Sequence, residues 1–190
     1  MSPTPRRDGA QTRALARRAA LRLFTEQGYE ATSLRQIADE LGINKASLYY
    51  HFDSKEAILR SLFEERGNEA EQLLTWVREQ PRTPGLLTEA VLRWVGSFTA
   101  DKLHGIRFLS ANPLIARPGG ERIGAGLTGF ADELTTLLPD PSPRNVLLLR
   151  MAVLSINAAV QAAPPAGISD DDVVAAAQQA ARALLAEITG

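Results

Sequence analysis

The chain has 190 residues, 45% of them hydrophobic and 23% charged, with no cysteine and a formal net charge of -1. That is enough apolar material for a core of one or two domains. The missing thiols exclude disulfides, thiolate metal sites and cysteine nucleophiles, and fit a reducing cytoplasm. The charge is uneven: residues 1–55 hold nine Lys/Arg against six Asp/Glu, and residues 56–190 hold twelve against sixteen. Positive charge therefore gathers in the first third, although the whole is near neutral.

The opening MSPTPRRDGAQ has no apolar stretch, so no export signal is expected, and Arg6 and Arg7 suit either a flexible arm or a disordered end. A first helix is expected over 12–27, with Leu15, Ala19, Leu23 and Phe24 facing inward and most of its arginines in solvent. Residues 33–52, SLRQIADELGINKASLYYHF, predict two short helices and a tight turn. The first, over 33–41, has Leu34, Ile37, Ala38 and Leu41 at helical period. Ser33 and Gln36 stand at capping-box spacing. Gly42 suits the left-handed residue that ends a helix, and Asn44 caps the next helix, over 45–51. This is the spacing of a helix-turn-helix. In the second helix Leu48 and Phe52 share the inner side. Ala46, Ser47, Tyr50 and His51 share the opposite side, with Lys45 and Tyr49 on the flanks. Small residues near the helix start permit close approach to base edges, and hydroxyl and imidazole groups follow. Lys55, in the first turn of the next helix, opposes the helix dipole unless a phosphate shares that end.

Beyond this motif the pattern stays helical. A helix over 54–80 carries Ile58, Leu62, Phe63, Leu73, Trp76 and Val77 as its expected buried side, with Gly67 inside it. After the loop PRTPG comes a helix with Leu87, Val91, Trp94, Val95 and Phe98 as its stripe. A shorter one over 103–111 follows, then a Pro/Gly-rich loop over 113–120 and a helix ending at Leu138. Two helices, 144–163 and 169–188, close the chain. The first is apolar almost all round, yet Arg150, Asn157 and Gln161 interrupt it, so it is not expected to span a membrane. The second puts Val173, Ala177, Ala181, Leu184 and Ile188 on a face of mostly small residues. Intrachain core and self-association both suit such helices.

Residues 12–59, TRALARRAALRLFTEQGYEATSLRQIADELGINKASLYYHFDSKEAIL, resemble the DNA-binding domain of the TetR (tetracycline-repressor-type) family of bacterial regulators. The resemblance runs without a gap through LYYHF-x-x-K, Leu48 to Lys55, and covers the first third of the chain. It implies an all-α protein of about nine helices. An N-terminal three-helix helix-turn-helix domain (10–70, motif 33–52) would precede a helical ligand-binding and dimerisation domain (71–190). It implies a double-stranded, palindromic DNA operator, a small-molecule effector, and a homodimer formed through the last two helices. Carried over position by position, the DNA contacts are Ser33, Arg35, Lys45, Ser47, Tyr49, Tyr50, His51 and Lys55. Arg35 and Lys45 are the candidates for base edges, and Tyr49, His51 and Lys55 those for phosphates. Ala46 departs from the Gly or Pro often found there in the family. The resemblance also implies an effector cavity, for which Trp76, Trp94, Phe98 and Phe108 are the candidate wall. Few charges lie on those faces, which favours a mainly apolar or aromatic effector, and the resemblance implies a homodimeric repressor that this effector releases from its operator.

No cofactor or metal is expected. Gly124 to Gly129 satisfies G-x-G-x-x-G, but no strand precedes it. His51 and His104 are not in metal or triad spacing, and Asp170 to Asp172 after Ser169 fits ordinary helix capping. An enzyme would need a constellation that is not visible: no G-x-S-x-G, no thiol, no paired histidines. A small-molecule binding protein without operator function is the other alternative; it would show no salt-sensitive DNA binding.

Overall fold

The computed structural model describes residues 9–113, 129–164 and 167–189, apart from the side chains of Phe63 and Thr189. Arg6, Arg7 and Gly124 to Thr128 of the glycine motif lie outside the described residues. The described residues are helical with connecting turns, and no strand occurs among them. Compactness divides the chain between Glu64 and Glu65.

In the first unit α1 (Gly9–Gln27) starts three residues before the expected position, then come α2 (Leu34–Glu40), α3 (Lys45–His51) and the opening of α4 (Lys55–Glu79). α1 buries Ala16, Ala19, Ala20, Leu23 and Phe24, and Tyr29 meets Phe24 edge-on at 4.8 Å between ring centres. Gly28 and Gly42 adopt φ of 92° and 63°, the left-handed region where a Cβ is costly. They end α1 and turn the chain between α2 and α3. Ile37, Ala38, Leu48, Phe52 and Ile58 are buried in this unit, while Leu34 and Leu41 are half-buried. α1, α2 and α3 pack pairwise on one another.

The second unit holds the rest of α4, α5 (Leu86–Gly96), α6 (Ala100–Ala111), a helical segment 129–134 running into the 3-10 turn Thr135–Leu137, α7 (Pro143–Ala162) and α8 (Asp170–Thr189). α4 passes through Gly67 as one continuous helix. Its buried face differs from the expected one: Leu59, Ala70 and Leu74 are inside with Ile58 and Val77, whereas Leu62, Leu73 and Trp76 are only partly buried. Side-chain bulk favours Leu73 and Trp76 as core residues, but Ala70, Leu74 and Val77 at i, i+4 and i+7 form the stripe that packs. The α5 stripe is buried as expected, Trp94 and Phe98 included.

α7 and α8 lie along each other and against α5. α7 buries Leu149, Ala152, Val153, Ile156 and Val160. α8 buries Val173, Ala177, Ala181, Leu185 and Ile188, with Leu185 and not Leu184 fully inside. Pro143–Ala162 is long and apolar enough by length and composition to cross a membrane, but one side of it is part of this core. Its other side leaves Leu147, Met151 and Leu154 exposed, at i, i+4 and i+7. Ser169 and Asp172 form a reciprocal cap at the start of α8, and Asp170 pairs with Arg107 at 2.7 Å. Asp170 and Asp172 thus have structural partners, and no cluster of three or more metal-ligating side chains occurs among the described residues.

Candidate nucleic-acid interface

α2 and α3 are held by their caps. The Ser33 N–H donates to Gln36 Oε1 at 2.8 Å, while the Gln36 N–H donates to Ser33 Oγ at 3.3 Å. The Ser47 N–H donates to Asn44 Oδ1 at 2.7 Å. Both caps satisfy backbone donors that a helix start leaves without intrahelical partners. A seven-residue helix is marginal on its own, so the caps and a few anchors must hold it. Leu48 is the one residue buried within α3, and Phe52 beyond its end is 2% exposed. Arg13 supplies a third anchor. Its guanidinium donates to the His51 carbonyl at 3.1 Å and lies over the Phe52 ring at 4.6 Å. A cation there suits the C-terminal end of the helix dipole. Sequence periodicity places Arg13 only on a solvated face; its partner is 38 residues away, so no local pattern reveals the contact.

These anchors leave the outer face of α3 open. Lys45, Ala46, Ser47, Tyr49 and Tyr50 are exposed, and Tyr50 is 87% accessible. Lys45 Nζ stands 5.1 Å from the centre of the Tyr49 ring. His51 is half-buried and meets Tyr50 edge-on at 5.2 Å. On α2, Ser33 is exposed and committed to its cap, and Arg35 projects with a 3.8 Å approach to Asp39. Salt screening makes so exposed a pair weak, so Arg35 is available to a stronger partner. Arg22 of α1 pairs with Glu40, which helps fix α2 against α1.

Lys55 has a different environment. Its ammonium donates to the Tyr29 carbonyl at 2.8 Å, approaches Glu30 at 3.3 Å and lies 4.2 Å from the centre of the Tyr29 ring. These internal acceptors explain a lysine in the first turn of α4 without any phosphate. Beside it, the Tyr29 hydroxyl donates to Glu56 Oε1 at 2.8 Å. Burial, with that bond, pushes the Tyr29 phenol well above its ordinary range. Glu56 is held below the usual carboxylate range, first by its own backbone N–H and next by Ser54, against desolvation, with lesser help from Tyr29. Ser54 Oγ also accepts from the Ala57 N–H at 3.2 Å and so caps α4.

The candidate effector residues separate in the second unit. Trp76 and Trp94 line an open groove of about 1320 Å³ together with Leu73, Leu92, Arg93 and Lys102. Phe98 and Phe108 are buried and do not line it. Phe98 packs edge-on to Trp94 at 5.6 Å, and Trp94 also meets Phe130 at 4.8 Å. The groove is mixed in character: Glu69, Glu89, Arg93 and Lys102 stand along it, and Arg93 lies over the Trp76 ring at 4.0 Å. Helical periodicity of the apolar residues conceals these charges because they sit on the flanks of the same helices.

Two capped short helices on a Gly turn, with an uncovered second helix, define a helix-turn-helix protein. Residues 16–62 match the family described as bacterial regulatory proteins, tetR family. The biofilm operon icaADBC negative transcriptional regulator IcaR of Staphylococcus aureus strain Newman is 59% identical over 39 residues, 20% of this chain and 21% of that protein. The match to the curated relatives thus spans only about a fifth of their length. The fold extends much farther. Mycobacterium smegmatis AmtR is similar at 26% identity and TM-score 0.62, covering 95% of this chain and 89% of that one. The ketosteroid regulator KstR2 of Mycobacterium tuberculosis is similar at 20% identity and TM-score 0.65, covering 94% and 93%. The N-terminal domain, residues 16–62, is thus that of the tetR family, and the fold of the chain is shared with these two regulators.

Proposed function

We propose that the protein is a homodimeric transcriptional repressor that binds a palindromic double-stranded operator and is released by a small molecule. DNA recognition is assigned to 10–70, and effector binding and dimerisation to 71–190. The observation that carries the first assignment is the open face of α3: a lysine, two small residues and two tyrosines exposed on a helix whose other side is anchored. Lys45 and Arg35 are assigned to base edges, and Ser33, Ser47, Tyr49, Tyr50 and His51 to backbone and groove-wall contacts. Lys55 joins them at a phosphate only if it leaves the Tyr29 carbonyl. The exposed Leu147, Met151 and Leu154 of α7 support pairing of the last two helices with their copies. Two recognition helices would then address half-sites about 34 Å apart. The reading places the protein in the cytoplasm and needs no catalysis.

The test begins with selection of bound sites from random DNA, followed by binding to the selected duplex and a scrambled one over a range of salt. Specific binding that falls with log salt at about -0.9 per phosphate contact is expected. Equal affinity for the two duplexes would refute operator recognition. Release requires that the effector favour the free protein. A 100-fold weakening of operator binding corresponds to about 2.7 kcal/mol, and DNA must weaken the effector by the same factor. A charge placed on the apolar α7 face, Met151→Glu, is expected to yield a folded monomer in sedimentation; an unchanged dimer would remove this face from the interface.

A further inference from the structure

Beside the groove, which Glu69, Trp94 and Lys102 line, the second unit holds a charge cluster with two buried donors left over among the described residues. Arg66 of α4 is mostly buried and lies in the corner formed by two edge-on aromatic rings, with Cζ 4.2 Å from the centre of Trp94 and 4.0 Å from that of Phe98. One guanidinium nitrogen pairs with Glu69, but Nη2 is buried with no hydrogen-bond partner among the described residues. The Trp94 indole N–H is buried in the same state, on a residue only 2% exposed. Glu69 is also shared with Lys102, whose ammonium reaches it at 2.7 Å and the Ser97 carbonyl at 2.8 Å. Two cations thus divide one carboxylate; Glu65, which also acts on Arg66, is exposed and adds only screened charge. A buried donor without an acceptor costs about 1 to 3 kcal/mol, and an under-compensated buried cation costs more.

We infer that this cluster receives the acidic group of a small carboxylate whose apolar body lies against the aromatic wall, with Arg66 Nη2 and Trp94 Nε1 as its donors. The inference rests on the effector-released reading above and narrows it from a mainly apolar effector to an organic monoanion. Two donors call for an acceptor, and a neutral carbonyl or a water would supply one. An anion also answers the two cations that share Glu69. Its body has Leu73, Trp76 and Leu92 of the groove within the same unit.

The probes are phenylacetate and its neutral counterpart phenylacetamide, titrated calorimetrically into the full chain without DNA. Wild type is expected to bind the carboxylate at least tenfold more tightly than the amide. Arg66→Met, which leaves Glu69 paired with Lys102, should abolish that preference. Trp94→Phe keeps the ring and removes only the N–H, so it should reduce the preference even if the Arg66 variant fails to fold. Equal binding of the two probes by wild type, saturable binding of neither, or a preference that survives Trp94→Phe with the fold intact would each overturn the proposal. Operator binding is scored separately. Carboxylate binding without operator release keeps the anion site and removes the release mechanism, whereas release by neutral compounds alone keeps the regulator and removes the anion site.

Discussion

α3 and α5 are both helices of this chain, yet they are stabilised in opposite ways. α5 buries six of its eleven residues, from Leu86 to Val95, and is held by apolar contact. α3 buries one of seven, Leu48, and is held by the Asn44 cap, Phe52 and the Arg13 bond to His51. A surface intended for a partner cannot also be a core, so its stability must come from its ends and its single inward residue. Substitutions on α3 should therefore separate folding from binding, while those on α5 should not.

The largest test of that contrast is Leu48→Ala. With a fully buried side chain and few neighbours to compensate, it should cost about 2 to 5 kcal/mol in urea denaturation and remove DNA binding with the fold. Tyr50→Ala, two residues on, should leave stability within about 0.5 kcal/mol and still weaken operator binding. A Tyr50 variant that unfolds the domain would break the comparison.

Next in size are Arg35→Ala and Lys45→Ala. If each meets a base edge, the loss at the selected operator should be about 1 to 3 kcal/mol, with preference relaxed at one base position per half-site. Equal losses on selected and random DNA would move that residue to the backbone. Trp94 offers the matching case in the core: being buried, Trp94→Ala should cost about 3 to 5 kcal/mol of stability, so any lost effector response in that variant reports unfolding. The Phe variant is the informative one.

Lys55→Ala sharpens the comparison further, since Lys55 has two assignments. As a tie to the Tyr29 carbonyl it should contribute about 1.5 kcal/mol to stability, and the salt slope should not change. As a phosphate contact it should flatten the slope by about 0.9 per subunit. Denaturation and salt titration on the same variant decide between them.

The smallest effect is expected at Glu56. Its pKa is lowered in the folded state, so its contribution is complete above the ordinary carboxylate range and is lost as pH falls through and below that range. Glu56→Gln should be less stable than wild type at neutral pH, by less than about 1 kcal/mol for so exposed a group. The gap should close on acidification. A gap that stays constant down to pH 3 would contradict this account of Glu56 and the N–H and hydroxyl groups that hold it ionised.

Much of the candidate interface was legible in the chain. Ser33 with Gln36, Gly42 and Asn44 act locally, over three or four residues, and each does what its spacing implies. The same holds for Leu48 and Phe52, because helical period alone brings them to one side. Arg13, Lys55 and Arg66 were not legible in that way. Their partners lie 38, 26 and about 30 residues off in sequence, at His51, Tyr29, and Trp94 with Phe98. Capping and amphipathic period describe a helix by itself, but a cation's partner depends on which helices meet.

The sequence by itself determined the helical class, the helix-turn-helix, its outward residues and the order of the later helices, since these follow from backbone capping and from the period of apolar side chains. Tertiary structure decided which side of α4 is buried, that Phe98 and Phe108 are packed away from the groove that Trp76 and Trp94 line, and that Lys55 has internal acceptors. It also decided that Arg66 lies among aromatic rings with a nitrogen left over. Those outcomes depend on the meeting of distant surfaces, where size, charge and the demand for every buried polar group to find a partner are settled together.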